Sequence, residues 1–286
     1  RLRTRALDAL GYDAKTGDPL YKHWPFFLDH RHGNACGLYY DTLAECTFDF
    51  GAEHDNYHGR YRVTEIADGD LDLFVLAGPS IREALARFVA AIGGTALPPR
   101  WALGYANTAM GLTDAPDGQQ RVREFLAHAE RDGFPLSSFH FGSGYTSRGK
   151  QRYVFTWNHS KFPRPRELMA AFAQAGVRTV ANLKPCLLND HPAYAQLAAD
   201  GAFVRDDEGP CLEQFWDGWG AHLDFTREGD RAWWQNGLQQ QILDVGIDVG
   251  WNDNNEYEIW GERALIDGFG EPLAMPRARP LQPLLM

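Results

Sequence analysis

The sequence has little positive charge. Its 286 residues include 28 Lys and Arg against 38 Asp and Glu, a formal net charge of −10, and no long basic run. Proteins that bind nucleic acid through its phosphates cluster basic side chains on one surface. We therefore expect no nucleic-acid partner.

Long apolar runs are also absent. No stretch approaches the roughly 18 apolar residues that a transmembrane helix requires, so no membrane span is expected. No signal peptide is visible at Arg1, which favours a cytoplasmic location without deciding it. The first residue is not Met, and the closing "RPLQPLLM" is apolar. We expect the chain to be a piece of a longer protein, cut within a folded domain.

Cysteine is scarce and follows no pattern. The four cysteines, Cys36, Cys46, Cys186 and Cys211, form no CxxC pair and match no zinc-binding spacing. They are expected to be buried free thiols. No metal ion or organic cofactor is predicted.

Apolar and aromatic residues, in contrast, are plentiful, at 44% and 13% of the chain. This content can bury one large domain or two. Residues 1–98 have a β-rich pattern, with "GLYYDTLAECTFDFG" and "DLDLFVLAG" as strand candidates. The segment "SIREALARFVAAIGG" has helical spacing and ends at a Gly pair that suits a C-cap. The segment "LPPRW" marks the boundary to a second domain, residues 99–286.

From Trp101 onward, strand and helix patterns alternate. The strand candidates are "WALGYANTA", "LSSFHFGSG", "VRTVANLKPCL" and "IDVGWND". The helix candidates are "GQQRVREFLAHAERDG", "RPRELMAAFAQAG", "HPAYAQLAADG" and "DRAWWQNGLQQQILDVG". This alternation predicts an α/β fold with a parallel sheet, either doubly wound or closed into a barrel. Polar residues at the strand ends and the lack of GxGxxG or GxxxxGK[ST] favour the first half of a (β/α)8 TIM barrel.

The segment "GWNDNNEYEIWG" places a polar block directly after the fourth strand candidate. Asp253 lies there among Asn252, Asn254 and Asn255, whose amides can donate hydrogen bonds to an ionised carboxylate. Such a carboxylate suits a reaction that develops positive charge, and glycoside hydrolysis usually employs two carboxyl groups. The alternative is an Asx-rich surface turn.

Other strand ends and loops carry further candidates. The third strand ends in "NLKPCLLNDHP", where Lys184 can bind a hydroxyl, a carboxylate or Asp253 itself, or be a solvated lysine; polar neighbours there are Asn182, Asn189, Asp190 and His191. In "FWDGWG", Trp216 and Trp219 can form a sugar-stacking wall or pack the insertion. Trp157 is expected to pack in the core or in a loop, and the pair His54 and His58 is expected to be structural.

At this point the sequence resembles glycoside hydrolase family 31. "WNDNNE" resembles the family's W-x-D-M-N-E signature, with Asn254 in place of Met. Further segments resemble the family in the same order over most of residues 12–286: "DPLYKHWPFF", "YYDTLAECTFDFG", "LPPRWALGY", "YVFTWNHSKFPRP" and "LDFTREGDRAWW". The resemblance implies a partial N-terminal β-sandwich over residues 1–98 and the first half of the catalytic barrel over residues 99–286.

The resemblance also implies an activity. The family consists mainly of retaining α-glycosidases, so Asp253 is the expected nucleophile and Glu256 a supporting residue. Trp251 and Asn254, in the same signature, are expected to contact substrate. An oligosaccharide or glycoside is the expected partner, while oligomeric state and linkage are not predicted.

One departure from the family concerns specificity. Many members have an Asp after the second strand, where this chain has Gly142 in "FHFGSGYTS". Ser143 and Tyr145 can supply neutral hydrogen bonds to the sugar instead, although Ser143 also suits plain turn chemistry. Glucose is the first expectation, with galactose and substituted sugars open. An α-glucosyltransferase of the same family and a non-catalytic carbohydrate-binding protein are the alternative functions.

The 286 residues alone are predicted to hydrolyse natural glycosides negligibly. The resemblance places the general acid/base on a later strand, and no carboxyl group after Asp253 matches that motif. General acid catalysis contributes typically about 10²–10⁴-fold, so an ordinary sugar alcohol would leave very slowly. The measurement is glucose release from maltose by the purified chain, and a clear turnover would contradict the expectation.

Overall fold

The computed structural model describes residues 2–4, 7–17, 20, 24–51, 57, 59–259, 261 and 263–286. The chain divides into two compact units. The first comprises Arg1–Leu97, Glu256–Leu265 and Pro272–Leu284, and the second comprises Pro98–Asn255, Ile266–Glu271 and Leu285–Met286. The domain bounds expected from the sequence, 1–98 and 99–286, remain a prediction.

Antiparallel sheets form the first unit. One has the strand order β2-β3-β6 and the other β1-β4-β5. The strands are β1 (Leu2–Arg3), β2 (Phe26–Arg31), β3 (Asn34–Tyr40), β4 (Cys46–Asp49), β5 (Val63–Ile66) and β6 (Leu73–Gly78). The β-rich pattern predicted for this region is therefore confirmed.

The buried residues of this unit follow from strand alternation. Tyr40, Cys46 and Phe48 form a cluster against which Phe27 and Leu38 pack. Cys46 and Phe48 are two positions apart on β4, so their side chains point to the same face. Removing these apolar side chains from water is the main stabilising contribution to the unit.

The predicted helix of the first unit is also confirmed, as α1 (Ile81–Ile92). Ser80 caps its start: the Ser80 hydroxyl accepts a hydrogen bond from the Glu83 backbone N–H at 3.3 Å and donates to the Glu83 carboxylate at 2.7 Å. The helix ends at Gly93, whose φ of 93° is readily adopted by glycine. Sequence patterns at both ends therefore set the bounds of this helix.

The remaining strands are mostly in the second unit. They are β7 (Tyr105–Thr108), β8 (Leu136–Phe141), β9 (Ser147–Arg148), β10 (Gln151–Arg152), β11 (Arg178–Leu183), β12 (Cys186–Leu188), β13 (Arg205–Asp206), β14 (Gly209–Pro210), β15 (Glu213–Phe215), β16 (Gly218–His222), β17 (Val249–Asn252), β18 (Leu265–Ile266) and β19 (Leu273–Ala274). The helices that follow α1 are α2 (Met110–Asp114), α3 (Gly118–Arg131), α4 (Pro165–Gln174), α5 (Tyr194–Ala199), α6 (Glu228–Gln241), α7 (Met275–Ala278) and α8 (Leu281–Leu285).

A four-stranded sheet organises the second unit. Its order is β7-β8-β11-β17, which is also the order of these strands along the chain, and every neighbouring pair is parallel. Helix α3 connects the first pair, α4 the second, and α5 and α6 lie between β11 and β17. The predicted alternation of strands and helices is confirmed. In a (β/α) barrel all strands are parallel and neighbouring strands follow one another along the chain, as these four strands do.

Aromatic side chains fill the space between this sheet and its helices. The Phe139 and Phe141 rings of β8 lie 5.4 and 5.9 Å from the Phe172 ring of α4, measured between centroids. Trp157 is 4% exposed, and its indole N–H donates to the Gln241 carbonyl at 2.9 Å. The packing role predicted for Trp157 is confirmed.

The cysteine prediction is confirmed in part. All four cysteines are free, but only Cys46 and Cys211 are buried, while Cys36 and Cys186 are partly exposed. His54 and His58, predicted to be structural, lie outside the described residues. No helix in the part of the chain that the structure describes has the length and apolarity needed to cross a bilayer.

Asp230, in the first turn of α6, is a buried acid that makes stability depend on pH. It is 4% exposed, and Arg227 Nε lies 3.3 Å from its Oδ2 atom. Burial raises the pKa of Asp230 from 3.8 to about 7; Arg227 opposes the shift, and the charges of Asp224 and Asp267 add to it. The folded protein binds the proton of the Asp230 carboxyl more tightly than the unfolded chain does. Protonation of Asp230 therefore contributes fully to the free energy of unfolding below pH 3.8, and this contribution is lost as pH rises through 7.

Asp230→Asn removes this titration. We expect Tm of the variant minus Tm of the parent to increase from pH 4 to pH 7 and to level off above about pH 8. Thermal unfolding of the full-length protein across this range measures the difference. Glu228→Gln, at the exposed start of the same helix, is the control for a lost charge. A Tm difference for Asp230→Asn that does not change with pH would contradict the prediction.

Candidate active site

The carboxyl ends of the four parallel strands lie at one edge of the sheet, and Asp253 lies at that edge. It directly follows β17, and its backbone N–H donates to the Leu183 carbonyl of β11 at 2.8 Å. This hydrogen bond continues the ladder in which Asn182 pairs with Trp251 and Leu183 with Asn252. The backbone at Asp253 is therefore held by the sheet and not by a flexible loop.

The Asp253 carboxylate is held through one of its oxygens. Asn182 Nδ2 donates to Oδ2 at 2.8 Å, and Lys184 Nζ lies 4.0 Å from the same oxygen. The Asp253 side chain is 34% exposed. Among the described residues none donates a hydrogen bond to Oδ1. Oδ2 is therefore anchored, and the carboxylate as a whole is partly exposed.

Asn182 is itself fixed from two directions. Its side chain is in the sheet core, at 4% exposure. Its backbone carbonyl lies beyond the end of β8, whose last paired residue, Phe141, faces Ala181. The Tyr145 hydroxyl donates to that carbonyl at 2.9 Å and so replaces the missing strand partner. A buried carbonyl left without a donor would be costly, so this contact stabilises the strand end.

The turn that carries Tyr145 is tightly packed. A Cβ atom on Gly144 would lie 2.6 Å from the Asp114 backbone nitrogen, so only glycine fits there. Lys161 Nζ donates to the Gly144 carbonyl and to the Ser147 hydroxyl, both at 2.8 Å. Burial raises the pKa of the Tyr145 hydroxyl, which therefore keeps its proton and stays a donor. The glycines and the buried lysine position Tyr145.

Ser143 and Tyr145, the two residues of this turn that are predicted to contact a sugar, are both buried. Ser143 is 6% exposed, and its carbonyl accepts the Thr146 hydroxyl at 2.8 Å. Tyr145 is 1% exposed, with its hydroxyl bound to the protein itself. The Tyr145 side chain therefore supports the strand end, and the Ser143 backbone closes the turn. Direct contact of either side chain with a sugar remains a prediction.

The other predicted residues are partly accessible. Trp251 is half-buried, with its ring 6.3 Å from that of His140, and Trp216, in the turn between β15 and β16, is 55% exposed. Asn254 has a φ of 48°, a left-handed conformation that asparagine tolerates better than most residues, and the chain turns sharply there. Glu256 is partly exposed and belongs to the first compact unit. The roles assigned to these residues remain predictions.

Lys184 does lie beside Asp253, one of the three partners considered for it from the sequence. Asp190 and His191, also in "NLKPCLLNDHP", contact other parts of the protein. Asp190 accepts a hydrogen bond from the Tyr153 hydroxyl at 3.0 Å, and the buried His191 ring contacts the Val154 carbonyl at 3.0 Å. Of the polar side chains in this segment, those of Asn182 and Lys184 are the ones that the structure places beside the Asp253 carboxylate.

Asn182 was named from the sequence among the polar residues at the third strand end, but no role was assigned to it. Its signal was present: it is an amide that follows the apolar Val180 and Ala181, one position before the strand end. Asp217, in the same hairpin turn as Trp216, was likewise assigned no role. Burial raises the pKa of the Asp217 carboxyl, with Lys184 and Arg152 opposing the shift and the Asp253 charge adding to it.

A competing nucleophile is disfavoured near Asp253. Burial raises the pKa of the Cys186 thiol to about 12, so this group stays protonated. In the described part of the chain, no three His, Cys, Asp or Glu side chains are arranged to hold a metal ion.

Comparison with known proteins identifies the family. Residues 95–268 match the TIM-barrel domain of glycosyl hydrolases family 31, and residues 1–49 match the N-terminal galactose mutarotase-like domain of glycosyl hydrolase 31. Alpha-glucosidase 2 of Bacillus thermoamyloliquefaciens is 31% identical over 257 residues, covering 87% of this chain and 30% of that protein. An alpha-glucosidase of Saccharolobus solfataricus is 28% identical, covering 87% of this chain and 34% of its own length.

Solved structures share the fold. A family 31 dextranase of Flavobacterium johnsoniae, complexed with glucose, superposes with a TM-score of 0.79 at 20% identity, over 99% of this chain and 34% of that one. The cycloalternan-degrading enzyme of Trueperella pyogenes, in complex with a covalent intermediate, gives a TM-score of 0.75 at 20% identity, over 99% and 41% of the two chains.

The fold expected from the sequence is thereby confirmed. The first unit contains the mutarotase-like β-sandwich strands, and the second unit contains the start of a TIM barrel. The chain spans about a third of the length of the curated relatives that it matches. The matched barrel covers more than half of the chain, and the chain belongs to glycoside hydrolase family 31.

Proposed function

We propose that the protein containing this chain is a retaining α-glycoside hydrolase that acts on α-glucosides or related oligosaccharides. The observation that carries the proposal is the partly exposed Asp253 carboxylate at the sheet edge, which accepts a hydrogen bond at Oδ2 from Asn182 at 2.8 Å and has Lys184 Nζ 4.0 Å from the same oxygen. The names of relatives support the sugar class, because two of them are alpha-glucosidases.

In the first step, Asp253 Oδ1 attacks the anomeric carbon. The new ester bond forms as the bond from this carbon to the leaving oxygen breaks, and the leaving oxygen takes a proton from a general acid that we do not assign. In the second step, water attacks the same carbon, loses a proton to the base form of that acid and releases Asp253. Two inversions give net retention. Support for the ester comes from the covalent intermediate in the Trueperella pyogenes enzyme.

Asn182 and Lys184 orient the Asp253 carboxylate, the proposed nucleophile. A carboxylate rotates about its χ2 angle, and only some orientations direct a lone pair at the anomeric carbon. The hydrogen bond from Asn182 fixes Oδ2, so that the direction of Oδ1 is also set before substrate arrives. Such preorganisation lowers the barrier because little reorganisation remains for the reaction itself.

A 5-fluoro α-glycosyl fluoride tests the nucleophile directly. Fluoride leaves with little help from an acid, so the glycosyl ester should accumulate. We expect intact-mass measurement on the full-length protein to show one added sugar with either the gluco or the galacto probe, and peptide mapping to place it on Asp253. Asp253→Ala should abolish the adduct, whereas Asp248→Asn, at the opposite end of β17, should retain it. An adduct on another residue, or none from a folded parent, would contradict the proposal.

Asn182→Ala is expected to slow this labelling. The variant removes a hydrogen bond to a charged group, an interaction that contributes about 1.5–3 kcal/mol, so the first-order labelling rate should fall roughly 10- to 100-fold. The mapped residue should remain Asp253. Asn236→Ala, the same substitution on the exposed surface of α6, controls for the loss of an amide. An unchanged rate in folded Asn182→Ala would show that the hydrogen bond does not orient the nucleophile.

A further inference from the structure

Strand β11 loses one of its two neighbours at Asn182. Its last residue pair with β8 joins Ala181 to Phe141, whereas its pairing with β17 continues through Leu183. Successive backbone carbonyls of a strand point to opposite sides. Because the Leu183 carbonyl accepts from the Asp253 N–H on the β17 side, the Asn182 carbonyl points to the side where β8 has ended. The residue that holds the Asp253 carboxylate therefore has no strand partner for its own carbonyl.

The Tyr145 hydroxyl takes the place of the missing strand. It donates to the Asn182 carbonyl at 2.9 Å. Tyr145 is 1% exposed, and its ring lies 4.8 Å from the Trp157 ring, measured between centroids. The Tyr145 backbone carbonyl accepts from the Asn158 N–H at 2.9 Å. The side chain that presents this hydroxyl is therefore packed at its ring and held at its backbone.

The Asn182 side chain has few other supports. Its Nδ2 donates to Asp253 Oδ2 at 2.8 Å, but its Oδ1 is buried and has no hydrogen-bond partner among the residues that the structure describes. The position of the amide therefore follows the position of the Asn182 backbone. A shift of that backbone would move the amide and, with it, the Asp253 carboxylate.

Two hydrogen bonds in series thus connect Tyr145 to Asp253. Neither donor carries a charge, so the connection acts through geometry and not by adding charge near the carboxylate. Reaction rates are sensitive to such geometry, since a misplacement of about 1 Å can cost about 10²-fold. A shift smaller than this at Asn182 is enough to slow the attack by Asp253.

We propose that Tyr145 is a positioning residue for the nucleophile: its hydroxyl holds the Asn182 backbone, and Asn182 in turn holds the Asp253 carboxylate. The inference rests on the proposed function, because it requires Asp253 to be the nucleophile. It replaces the sugar contact predicted for Tyr145 from the sequence. A phenol has one O–H to donate, and the Asn182 carbonyl receives it.

The 5-fluoro α-glycosyl fluorides separate positioning from binding. The dependence of the labelling rate on probe concentration gives a maximum first-order rate and a half-saturating concentration. In the full-length protein, we expect Tyr145→Phe to lower the maximum rate roughly 2- to 10-fold, the range for one hydrogen bond between uncharged groups. The half-saturating concentration should not change, because the hydroxyl does not contact the sugar.

The double variant tests the path through Asn182. Adding Tyr145→Phe to Asn182→Ala should not slow labelling further, because the amide that Tyr145 positions is already absent. An equal fold loss with and without the Asn182 side chain would overturn the inference.

Tyr40→Phe is the matched control. Tyr40 is a buried tyrosine of the first unit whose hydroxyl lies 3.0 Å from Thr64 Oγ1, so the variant loses the same oxygen far along the chain from Asp253. Its maximum labelling rate should equal that of the parent. If Tyr145→Phe is not folded, Lys161→Met decides instead. It removes the hydrogen bonds to the Gly144 carbonyl and the Ser147 hydroxyl in the same turn, and it should lower the maximum rate alone.

An unchanged maximum rate in the folded variant of this turn would overturn the inference. So would a raised half-saturating concentration at an unchanged maximum rate, since that pattern indicates direct contact between Tyr145 and the sugar. Failure of the proposed function is recognised separately, because the folded parent would then not be labelled on Asp253 at all.

Discussion

The hydrogen bond from Asn182 Nδ2 to Asp253 Oδ2 is the contact on which the site depends. It is 2.8 Å long and joins two neighbouring strands at the edge where parallel strands end. A carboxylate at this edge has an ordered backbone, but its side chain would still rotate. The amide removes that freedom for one oxygen. The position of the carboxylate is therefore set by the sheet register, since Asn182 lies in β11 and Asp253 directly follows β17.

Support for this contact extends away from the sheet edge. Tyr145 donates to the Asn182 carbonyl, and the turn that holds Tyr145 is packed against the Thr113–Asp114 backbone through Gly144. The buried Lys161 ammonium donates a hydrogen bond to the Gly144 carbonyl and so also stabilises the turn. The Tyr145 hydroxyl and the Lys161 ammonium each have a partner, whereas Asn182 Oδ1 is buried with no hydrogen-bond partner among the described residues. The proposed nucleophile is therefore supported by contacts within the protein itself.

Much of this fold could be predicted from the sequence. The bounds of α1 follow from the Ser80 cap and Gly93, and the alternating strand and helix patterns give the four parallel strands in order. Asp253 could be located because an apolar strand precedes it and a family signature surrounds it. Side-chain contacts across the sheet could not be predicted, because they depend on register between strands about 70 residues apart, as for Asn182 and Asp253.

The central claim is that Asp253 reacts through Oδ1 while Asn182 holds Oδ2. The most direct measurement is a crystal structure of the full-length protein trapped with a 5-fluoro glycosyl ester. The account predicts a bond from the anomeric carbon to Asp253 Oδ1, with the Asn182 amide still within hydrogen-bond distance of Oδ2. An ester on the oxygen that faces Asn182, or an Asn182 side chain turned away from the ester, would contradict it.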